Sequence, residues 1–368
     1  MADSGRFYQA EKQLAGTHLA LHWKGRVRYI VPRKLAGQQA CWRVFQPGRL
    51  GIPMRAMALL PRLSGATGCV ESENLALIRE SIGKEAGLSS SRAGAPGPWY
   101  KETILFLDQR DEPLYLVKAG AGEEVDALLQ NEANWLRFLR DQPSLVGHIP
   151  ELVTHRSGSD LCFVGQRVVS GSIEFQLGQR QLDFLRKLQE SSFQTMRYED
   201  SRLYRNLSLR MNELSEALTP AWSTRLKAGM GRIRNSLSGA PILLVAAHND
   251  FTPWNVRLER GVAKVFDWEY ADSEQLPLFD PLHFVLSPMA LRSEPPRKLR
   301  RKMQDTVKQC QQLLGEGMCA DPETQALAYL INLCTLYIWA DRGKHNSHPT
   351  LVCYAQIIDQ MSQDLWRL

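Results

Sequence analysis

The sequence lacks the features of a secreted or membrane-spanning protein. It has no run of the ~18–20 consecutive apolar residues that a transmembrane helix needs, and residues 1–20 lack the apolar stretch of a signal peptide. Its seven cysteines are scattered and none forms a CxxC pair, so neither a disulfide framework nor a zinc site is indicated. We therefore predict a reduced, cytoplasmic protein.

Acidic residues are scarce in the first 60 residues, where all the excess positive charge lies. This segment holds ten Lys or Arg and two acids, a net charge of +8, whereas the other 308 residues hold 35 basic and 37 acidic groups, a net charge of −2. Aromatic residues (Trp23, Tyr29, Trp42 and Phe45) lie among these cations. The pattern suits contact with a glycan or an anionic surface, such as the inner face of a membrane. A small sheet packed on the rest of the protein explains it equally well, and nothing strongly supports nucleic-acid binding.

The length predicts two domains, or one domain with a substantial extension. In the first 100 residues, turn-forming residues separate three predicted strands at His18–Trp23, Val27–Val31 and Ala40–Phe45. Apolar residues at helical spacing predict a helix over Glu71–Glu85. The next segment, Gly87–Pro98, has the composition of a turn or flexible loop.

The order of the later elements is strands first and helices afterwards. A hairpin is predicted from Thr103–Leu107 and Leu114–Lys118, followed by an amphipathic helix from Glu124 to about Arg140 and a strand over Leu161–Val169. Further helices are predicted at about 178–190, 203–217, 221–236, 297–314 and 323–342. A small strand-rich part is therefore expected to precede a larger helical part.

The strongest chemical signal is a pair of segments, HNDFTPWN at 248–255 and VFDWE at 265–269. A predicted hairpin between them returns Asp267 close to Asn255. The carboxylates of Asp250 and Asp267 and the amide of Asn255 are then expected to surround one point. Hard oxygen ligands of this kind suit Mg²⁺. The spacing from Asp250 to Asn255 is that of a kinase catalytic loop. Asp and Asn are also common in turns, so either half alone would indicate little.

The upstream half supplies an independent indication. A kinase needs a strand lysine to hold the nucleotide phosphates and a helix glutamate to orient it. Lys118 ends a predicted strand, and Glu132 lies on the apolar stripe of the following helix. An acid on such a stripe is costly unless it is paired, so we predict an ion pair between these two residues.

A Gly/Pro segment precedes the predicted hairpin, where a loop covering the phosphates is expected. Gly94 and Gly97 would let backbone N–H groups approach phosphates, and we add Lys101 to the nucleotide-binding candidates. The segment is neither a P-loop nor a GxGxxG motif, and its prolines remove donors.

These residues resemble the aminoglycoside phosphotransferase/choline kinase superfamily, whose fold is that of eukaryotic-type protein kinases. The resemblance rests on segment 248–255, on DWEY at 267–270 and on FDPLHF at 279–284, and it covers about residues 85–340. It implies an α+β, bilobal protein-kinase-like fold with a small β-rich N-lobe, a larger helical C-lobe and a basic N-terminal extension. We accordingly divide the chain at 1–86, 87–170 and 171–368.

The resemblance also implies roles for individual residues. These are a catalytic base (Asp250), two Mg²⁺ ligands (Asn255 and Asp267), a pair that positions the ATP phosphates (Lys118 and Glu132) and two structural residues that brace the catalytic loop (His248 and Asp280). Residues 161–170 would include the hinge that contacts adenine through backbone groups. Glu269 after Asp267-Trp268, and the lack of an A-P-E segment, argue against a protein kinase.

Three functions follow as hypotheses. The first is an ATP- and Mg²⁺-dependent phosphotransferase acting on a hydroxyl of a small molecule, such as an amino alcohol, a sugar or a glycan precursor. The second is a non-catalytic kinase-fold module that binds or regulates through its basic extension, although such a module need not keep all five catalytic-type residues. The third is an aminoglycoside phosphotransferase, to which the near-balanced charge of the C-terminal part gives no particular support.

Overall fold

The computed structural model describes residues 6–11, 16–45, 66–95, 97–315, 317–318, 320–340 and 349–362. The chain folds as two compact units, Met1–Arg140 with Pro150–Val169 and Asp141–Ile149 with Ser170–Leu368. The first is rich in strands and the second in helices, which confirms the predicted bilobal fold class. The boundary that we place between an extension and an N-lobe stays a prediction. Among the described helices, none combines the length and apolar character needed to cross a bilayer.

The first unit is built on one antiparallel sheet of nine strands. The strands are β1 (Tyr8–Glu11), β2 (His18–Trp23), β3 (Arg26–Pro32), β4 (Thr67–Glu71), β5 (Ser89–Ala93), β6 (Lys101–Leu107), β7 (Pro113–Gly120), β8 (Leu152–Arg156) and β9 (Cys162–Arg167). Their order across the sheet is β1-β4-β2-β3-β5-β6-β7-β9-β8. The strands of the basic segment therefore continue the same sheet as the predicted hairpin β6–β7.

Three helices cover the two faces of this sheet: α1 (Leu35–Phe45), α2 (Glu73–Ile82) and α3 (Glu123–Arg140). Alternate residues of a strand point to opposite faces. Ile104 and Phe106 of β6 accordingly lie in one apolar cluster with α2, whereas Leu105 and Leu107 lie in another with α1. Helix α3 packs on Val164 of β9, and the register of the strands places α3 on the same face as α1.

Two local predictions in the first unit are wrong. Residues Ala40–Phe45 form the second half of helix α1, not a strand. Ala40, Cys41 and Phe45 are fully or almost fully buried at a helical spacing, and this short apolar run does not by itself distinguish strand from helix.

The segment Gly87–Pro98, predicted as a turn or flexible loop, contains strand β5. Its residues Ser89, Ser90 and Ser91 are buried because β5 pairs with β3 on one side and with β6 on the other. Tertiary pairing here overrides a composition that disfavours strands.

The aromatic residues of the basic segment divide between core and surface. Tyr29, Trp42 and Phe45 are buried in the cluster around α1, whereas the Trp23 side chain is 50% exposed. Most of these aromatics therefore serve packing, and the predicted contact with a glycan or anionic surface stays a prediction.

The second unit surrounds two small sheets with helices. Its strands are β10 (Gln194–Arg197), β11 (Pro241–Ala247), β12 (Val256–Glu259), β13 (Val262–Val265) and β14 (Asp272–Gln275). Its helices are α4 (Gln179–Glu190), α5 (Arg202–Glu213), α6 (Pro220–Leu237), α7 (Phe279–Leu291), α8 (Pro296–Leu314), α9 (Pro322–Ala340) and α10 (Pro349–Ser362). Strand β11 lies between β10 and β14, and β12 pairs with β13 as a hairpin.

Helices α7 and α10 have no counterpart in the sequence predictions. Nearly every residue of α7 is buried, including Asp280 and His283. A helix that is buried all round shows no apolar stripe, so its periodicity does not distinguish it from a loop or strand.

Candidate active site

Strand β11 carries the chain into the predicted catalytic loop. Its last residues, Leu244–Ala247, are buried, which fixes the start of the loop. A 3₁₀ turn at Pro253–Asn255 then leads into β12. Val256 pairs with Val265 across the hairpin, and the Phe266 N–H donates to the carbonyl oxygen of Asn255 at 3.2 Å. The hairpin therefore brings the residue after Phe266, Asp267, beside Asn255, as the sequence predicts.

The Asp250 carboxylate is held from two directions. Asn255 Nδ2 donates to Asp250 Oδ2 at 2.8 Å and to the Asp250 carbonyl at 3.0 Å. On the other side, His283 Nε2 lies 3.2 Å from Asp250 Oδ1. The Asp250 side chain remains 30% exposed, so a fixed carboxylate is still reachable from outside.

His283 is a site residue to which the sequence analysis assigns no role. Because an ionised carboxylate only accepts hydrogen bonds, His283 Nε2 must be the donor to Asp250. In a neutral imidazole the other nitrogen, Nδ1, then accepts, and the Tyr329 hydroxyl lies 3.2 Å from it. Burial raises the pKa of Tyr329 well above its ordinary value, which keeps the hydroxyl protonated as a donor. The spacing from Asp280, three residues apart on one helix, is the signal that could have indicated His283.

Asp280 and His248 brace the loop backbone. The two carboxylate oxygens of Asp280 accept the backbone N–H groups of His248 at 2.7 Å and Asn249 at 3.0 Å. Burial raises the pKa of Asp280, and the nearby His248 together with these two N–H groups opposes the rise.

The His248 ring ties the loop to the segment that follows β13. Its Nε2 lies 3.0 Å from the Phe266 carbonyl, and its Nδ1 lies 3.2 Å from the Asp250 backbone N–H. A carbonyl only accepts and an N–H only donates, so these two bonds assign the proton to Nε2. The ring therefore links the residue before Asp267 to the backbone of Asp250.

Two residues at the site adopt a left-handed backbone conformation. Asn249 has φ 61° and Asp267 has φ 77°, and non-glycine residues pay of order 1–3 kcal/mol for such geometry. Asn249 is held by a hydrogen bond from its Nδ2 to the Tyr270 carbonyl at 2.9 Å. Backbone strain of this kind occurs where the surrounding structure imposes a conformation. Asn249 directly precedes Asp250, and Asp267 lies beside Asn255.

The oxygen atoms near Asp267 suit a divalent cation. Asn255 uses its nitrogen towards Asp250, so its amide oxygen is the atom that remains for another contact. Carboxylate oxygens of Asp267 and Glu269 lie within 4.8 Å of each other, although Glu269 is only 7% exposed. A carboxylate pair of this kind fits Mg²⁺. Glu269 is an additional candidate that the sequence analysis does not name as a ligand.

In the first unit the predicted ion pair is present. Lys118 Nζ lies 2.7 Å from Glu132 Oε2, and the side chains are 11% and 0% exposed. Lys118 pairs with Val164 across β7 and β9, so both side chains point to the face that α3 covers. Helix α3 places Glu132 on the same apolar side as Leu129 and Ala133. The role of the pair towards a nucleotide stays a prediction.

The Gly/Pro segment forms the connection between β5 and β6. The Gly94 N–H donates to the Lys101 carbonyl at 2.9 Å, and a Cβ added at Gly94 would lie 2.4 Å from the same oxygen. Close approach of two strands therefore explains this glycine. Gly97 has φ 152° and accepts a hydrogen bond from the Tyr100 N–H at its carbonyl. A role of Gly94, Gly97 or Lys101 towards a nucleotide stays a prediction.

A cavity of about 200 Å³ lies within the second unit, next to Asp250. Its walls come from α5, α7, α9, β14 and the residues at the start of the catalytic loop, and they consist of Asn206, Arg210, Asn249, Tyr270, Asp272, Gln275, Phe279, His283, Tyr329, Asn332, Leu333 and Leu336. Because His283 both lines the cavity and contacts the Asp250 carboxylate, one side chain connects the cavity wall with that carboxylate.

A bilobal fold with this aspartate, asparagine and lysine–glutamate set is that of a kinase-like phosphotransferase. Residues 94–301, which are 208 of the 368 residues, match the sequence model of the phosphotransferase enzyme family, APH. The chain belongs to this family. It is therefore a phosphotransferase with an alcohol group as acceptor, and the predicted family and enzyme class are confirmed.

Solved structures of similar fold include two of a thermostable mutant of aminoglycoside phosphotransferase APH(4)-Ia. A ternary complex with AMP-PNP and hygromycin B is 12% identical, with a TM-score of 0.54, over 80% of this chain and 99% of that chain. The apo form is 13% identical, with a TM-score of 0.51, over 76% of this chain and 95% of that chain. At such identities the likeness shows a shared fold. A search of curated proteins finds no match.

Proposed function

We propose that this phosphotransferase uses ATP and Mg²⁺ to phosphorylate a hydroxyl of a small, sugar-like molecule bound in the cavity of the second unit. The observation that carries the proposal is the Asp250 carboxylate, held by Asn255 and His283 beside that cavity. The related fold of APH(4)-Ia, solved with AMP-PNP and hygromycin B, supports a nucleotide together with a polyhydroxylated acceptor.

The proposed reaction needs little covalent chemistry from the protein. Asp250 accepts the proton of the acceptor hydroxyl as its oxygen bonds to the γ-phosphorus, and the bond from that phosphorus to the ADP oxygen breaks. Asn255 and Asp267, with Glu269 close by, would hold Mg²⁺. The cation supplies charge neutralisation for the phosphate oxygens. Lys118, oriented by Glu132, positions the phosphates of ATP. Most of the rate enhancement comes from positioning and electrostatics.

A non-catalytic binding module is the competing explanation. Such a module has no need of a carboxylate fixed by two side chains, nor of a buried ion pair at Lys118 and Glu132. Buried ion pairs contribute little net stability, so this pair is better explained by a function.

The direct test is ATP consumption by the full chain with Mg²⁺, with and without a panel of hydroxyl acceptors. The panel contains sugars, amino alcohols and aminoglycosides. Asp250→Asn should lower turnover by about 10²–10⁴ and still fold, because Asn keeps the shape of the side chain; circular dichroism and thermal unfolding check this. Asp305→Asn is the matched control, since Asp305 is exposed on α8, and it should retain full turnover.

Two results would overturn the proposal. One is full turnover by Asp250→Asn, which removes Asp250 from the mechanism. The other is failure of the wild-type chain both to bind ATP in the presence of Mg²⁺ and to turn over any acceptor, which would favour the binding module.

A further inference from the structure

The cavity has a polar wall that contains an arginine. Arg210 and Asn206, one turn apart on α5, face this cavity together with Asn332 of α9. The lining also includes apolar side chains, those of Phe279, Leu333 and Leu336. Such a combination suits a ring that has one apolar face and a rim of hydroxyl groups. At about 200 Å³ the cavity is smaller than the ~300–1,000 Å³ of drug-sized ligand sites, so it holds one sugar-sized ring.

Two polar side chains in the cavity have hydrogen-bonding atoms without a hydrogen-bond partner among the described residues. Gln275 is 3% exposed, lines the cavity, and its buried Oε1 accepts no hydrogen bond from any described residue. An unsatisfied buried acceptor costs about 1–3 kcal/mol, and a ligand hydroxyl would satisfy it. The Arg210 guanidinium uses only Nη1, which donates to Asn332 Oδ1 at 2.9 Å and to the Asn332 carbonyl at 3.4 Å.

The lining of the cavity contains one arginine, Arg210, and one acid, Asp272. The Arg202 guanidinium lies 3.4 Å from Asp272 Oδ1. Asp272 Oδ1 also accepts the Glu274 N–H at 3.0 Å. Asp272 also interacts electrostatically with Arg210, and the Nε and Nη2 donors of Arg210 remain for a ligand.

We propose that the acceptor is a monosaccharide-sized polyol carrying one anionic group, a carboxylate or a phosphate, and that Arg210 selects it. Arg210 binds the anion with its two remaining donor nitrogens, which match the geometry of a carboxylate or phosphate. Gln275 and Asn206 bind hydroxyl groups, and the apolar lining residues contact the ring. The inference rests on the proposed function for the reaction, but it concerns binding and can be tested without turnover. A polycationic antibiotic would meet repulsion from Arg210.

The test compares three sugars that share one ring and differ in charge: D-glucuronate, D-glucose and D-glucosamine. Their dissociation constants for the full chain are measured by ligand-observed NMR in slightly acidic buffer, where the amine is charged. We expect the wild-type chain to bind glucuronate about tenfold more tightly than glucose, as a charge-assisted hydrogen bond allows, and glucosamine most weakly. D-glucose 6-phosphate, added as a fourth probe, distinguishes a phosphate preference from a carboxylate preference.

Three variants assign the preference to the cavity. Arg210→Gln should abolish the advantage of glucuronate over glucose. Asn206→Asp should lower the affinity for glucuronate and raise the affinity for glucosamine. This variant keeps the contact between Arg210 and Asn332, so it provides a test even if Arg210→Gln folds poorly. Arg186→Gln, which alters an exposed arginine of α4 paired with Glu190, should bind all probes as the wild type does.

The proposal is overturned if no anionic probe binds at millimolar concentration, if glucosamine binds best, or if Asn206→Asp leaves the order of affinities unchanged. These outcomes are separate from those for phosphoryl transfer. Selective binding of glucuronate by the wild-type chain without any ATP turnover would retain this inference and reject the proposed reaction.

Discussion

At the scale of single residues, the site is defined by hydrogen bonds that fix one carboxylate. Asp250 accepts a hydrogen bond from Asn255 on one carboxylate oxygen and from His283 on the other. Because an ionised carboxylate only accepts, it places the proton of His283 on Nε2, and the Tyr329 hydroxyl lies next to Nδ1. A general base must lie in one orientation when the hydroxyl approaches, because misplacement of about 1 Å can cost a hundredfold in rate. His283 is therefore a positioning residue, which acts through Asp250.

His283→Ala should lower kcat by about 10² and change the KM for ATP little. His283→Gln should recover part of the loss, because a glutamine amide can place its nitrogen near the position of the imidazole Nε2 and donate to Asp250. Steady-state kinetics of both variants check this, with circular dichroism to confirm folding. Equal losses in kcat for the two variants, or a change confined to KM, would contradict a positioning role.

At the scale of secondary-structure elements, helix α3 and strands β7 and β9 create a buried ion pair. Their packing places the Lys118 ammonium against a fully buried carboxylate, that of Glu132. The two charges stabilise each other only because both elements are fixed, and removing one partner costs far more than the intact pair contributes.

Glu132→Ala should lower the free energy of unfolding by about 3–5 kcal/mol, the typical loss when one charge of a buried pair is removed. Glu151→Ala is the control, because Glu151 pairs with Arg167 on the surface of the same unit, with side chains 64% and 49% exposed. It should cost less than about 1 kcal/mol. Urea unfolding measures the loss of unfolding free energy for both variants. Equal losses would show that burial of the ion pair does not determine how much its removal destabilises the protein.

Two glycines of helix α6 make a matched pair. A Cβ at Gly231 would meet nothing within 4 Å, whereas a Cβ at Gly229 would lie 2.5 Å from Ile331 Cδ1 on α9. Gly231→Ala should therefore stabilise the protein by about 0.5–1 kcal/mol, because alanine loses less backbone entropy in a helix.

Gly229→Ala should gain nothing or destabilise, because its methyl group must displace Ile331. Thermal or urea unfolding of the two variants gives the difference directly. An equal gain at both positions would show that α6 and α9 are not in close contact at Gly229.

At the scale of the whole molecule, the six described cysteines are free and buried. Burial raises the pKa of Cys41 and Cys69 to about 12 and that of Cys162 to about 11. The reactive thiolate is therefore scarce at neutral pH. Above about pH 8.5 the thiols of the unfolded chain lose protons that the buried thiols of the folded chain keep. The free energy of unfolding therefore falls as the pH rises in this range.

Native protein should accordingly react slowly with Ellman's reagent at pH 8, with at most one fast thiol per chain, that of Cys319, which lies outside the described residues. Cys319→Ser should show no fast thiol, and all remaining thiols should react after unfolding in guanidinium chloride. Rapid reaction of several thiols in the native variant would contradict their burial.

Motif spacing is what made much of the candidate site predictable. The pairing of Lys118 with Glu132 followed from an acid on an apolar stripe, and the return of Asp267 to Asn255 followed from two short strands joined by a turn. The sequence assigns no role to His283 and names no ligand role for Glu269, because their contacts depend on how helix α7 and the turn at Asp267 are placed in the fold. Helix α1 and strand β5 were predicted wrongly for a related reason, since pairing and burial decided them against local composition.

The strand-to-helix order and the spacing of the catalytic-loop residues can be read from the sequence alone, because they depend on local pattern, and the resemblance of these motifs indicates the family. The tertiary structure decided which nitrogen of His283 faces Asp250, that Arg210 lies in the same cavity as Gln275, and that the basic segment continues the nine-stranded sheet. These features join residues far apart in the chain. Their geometry is fixed by packing and by the hydrogen bonds that burial requires, and neither can be read from any one segment.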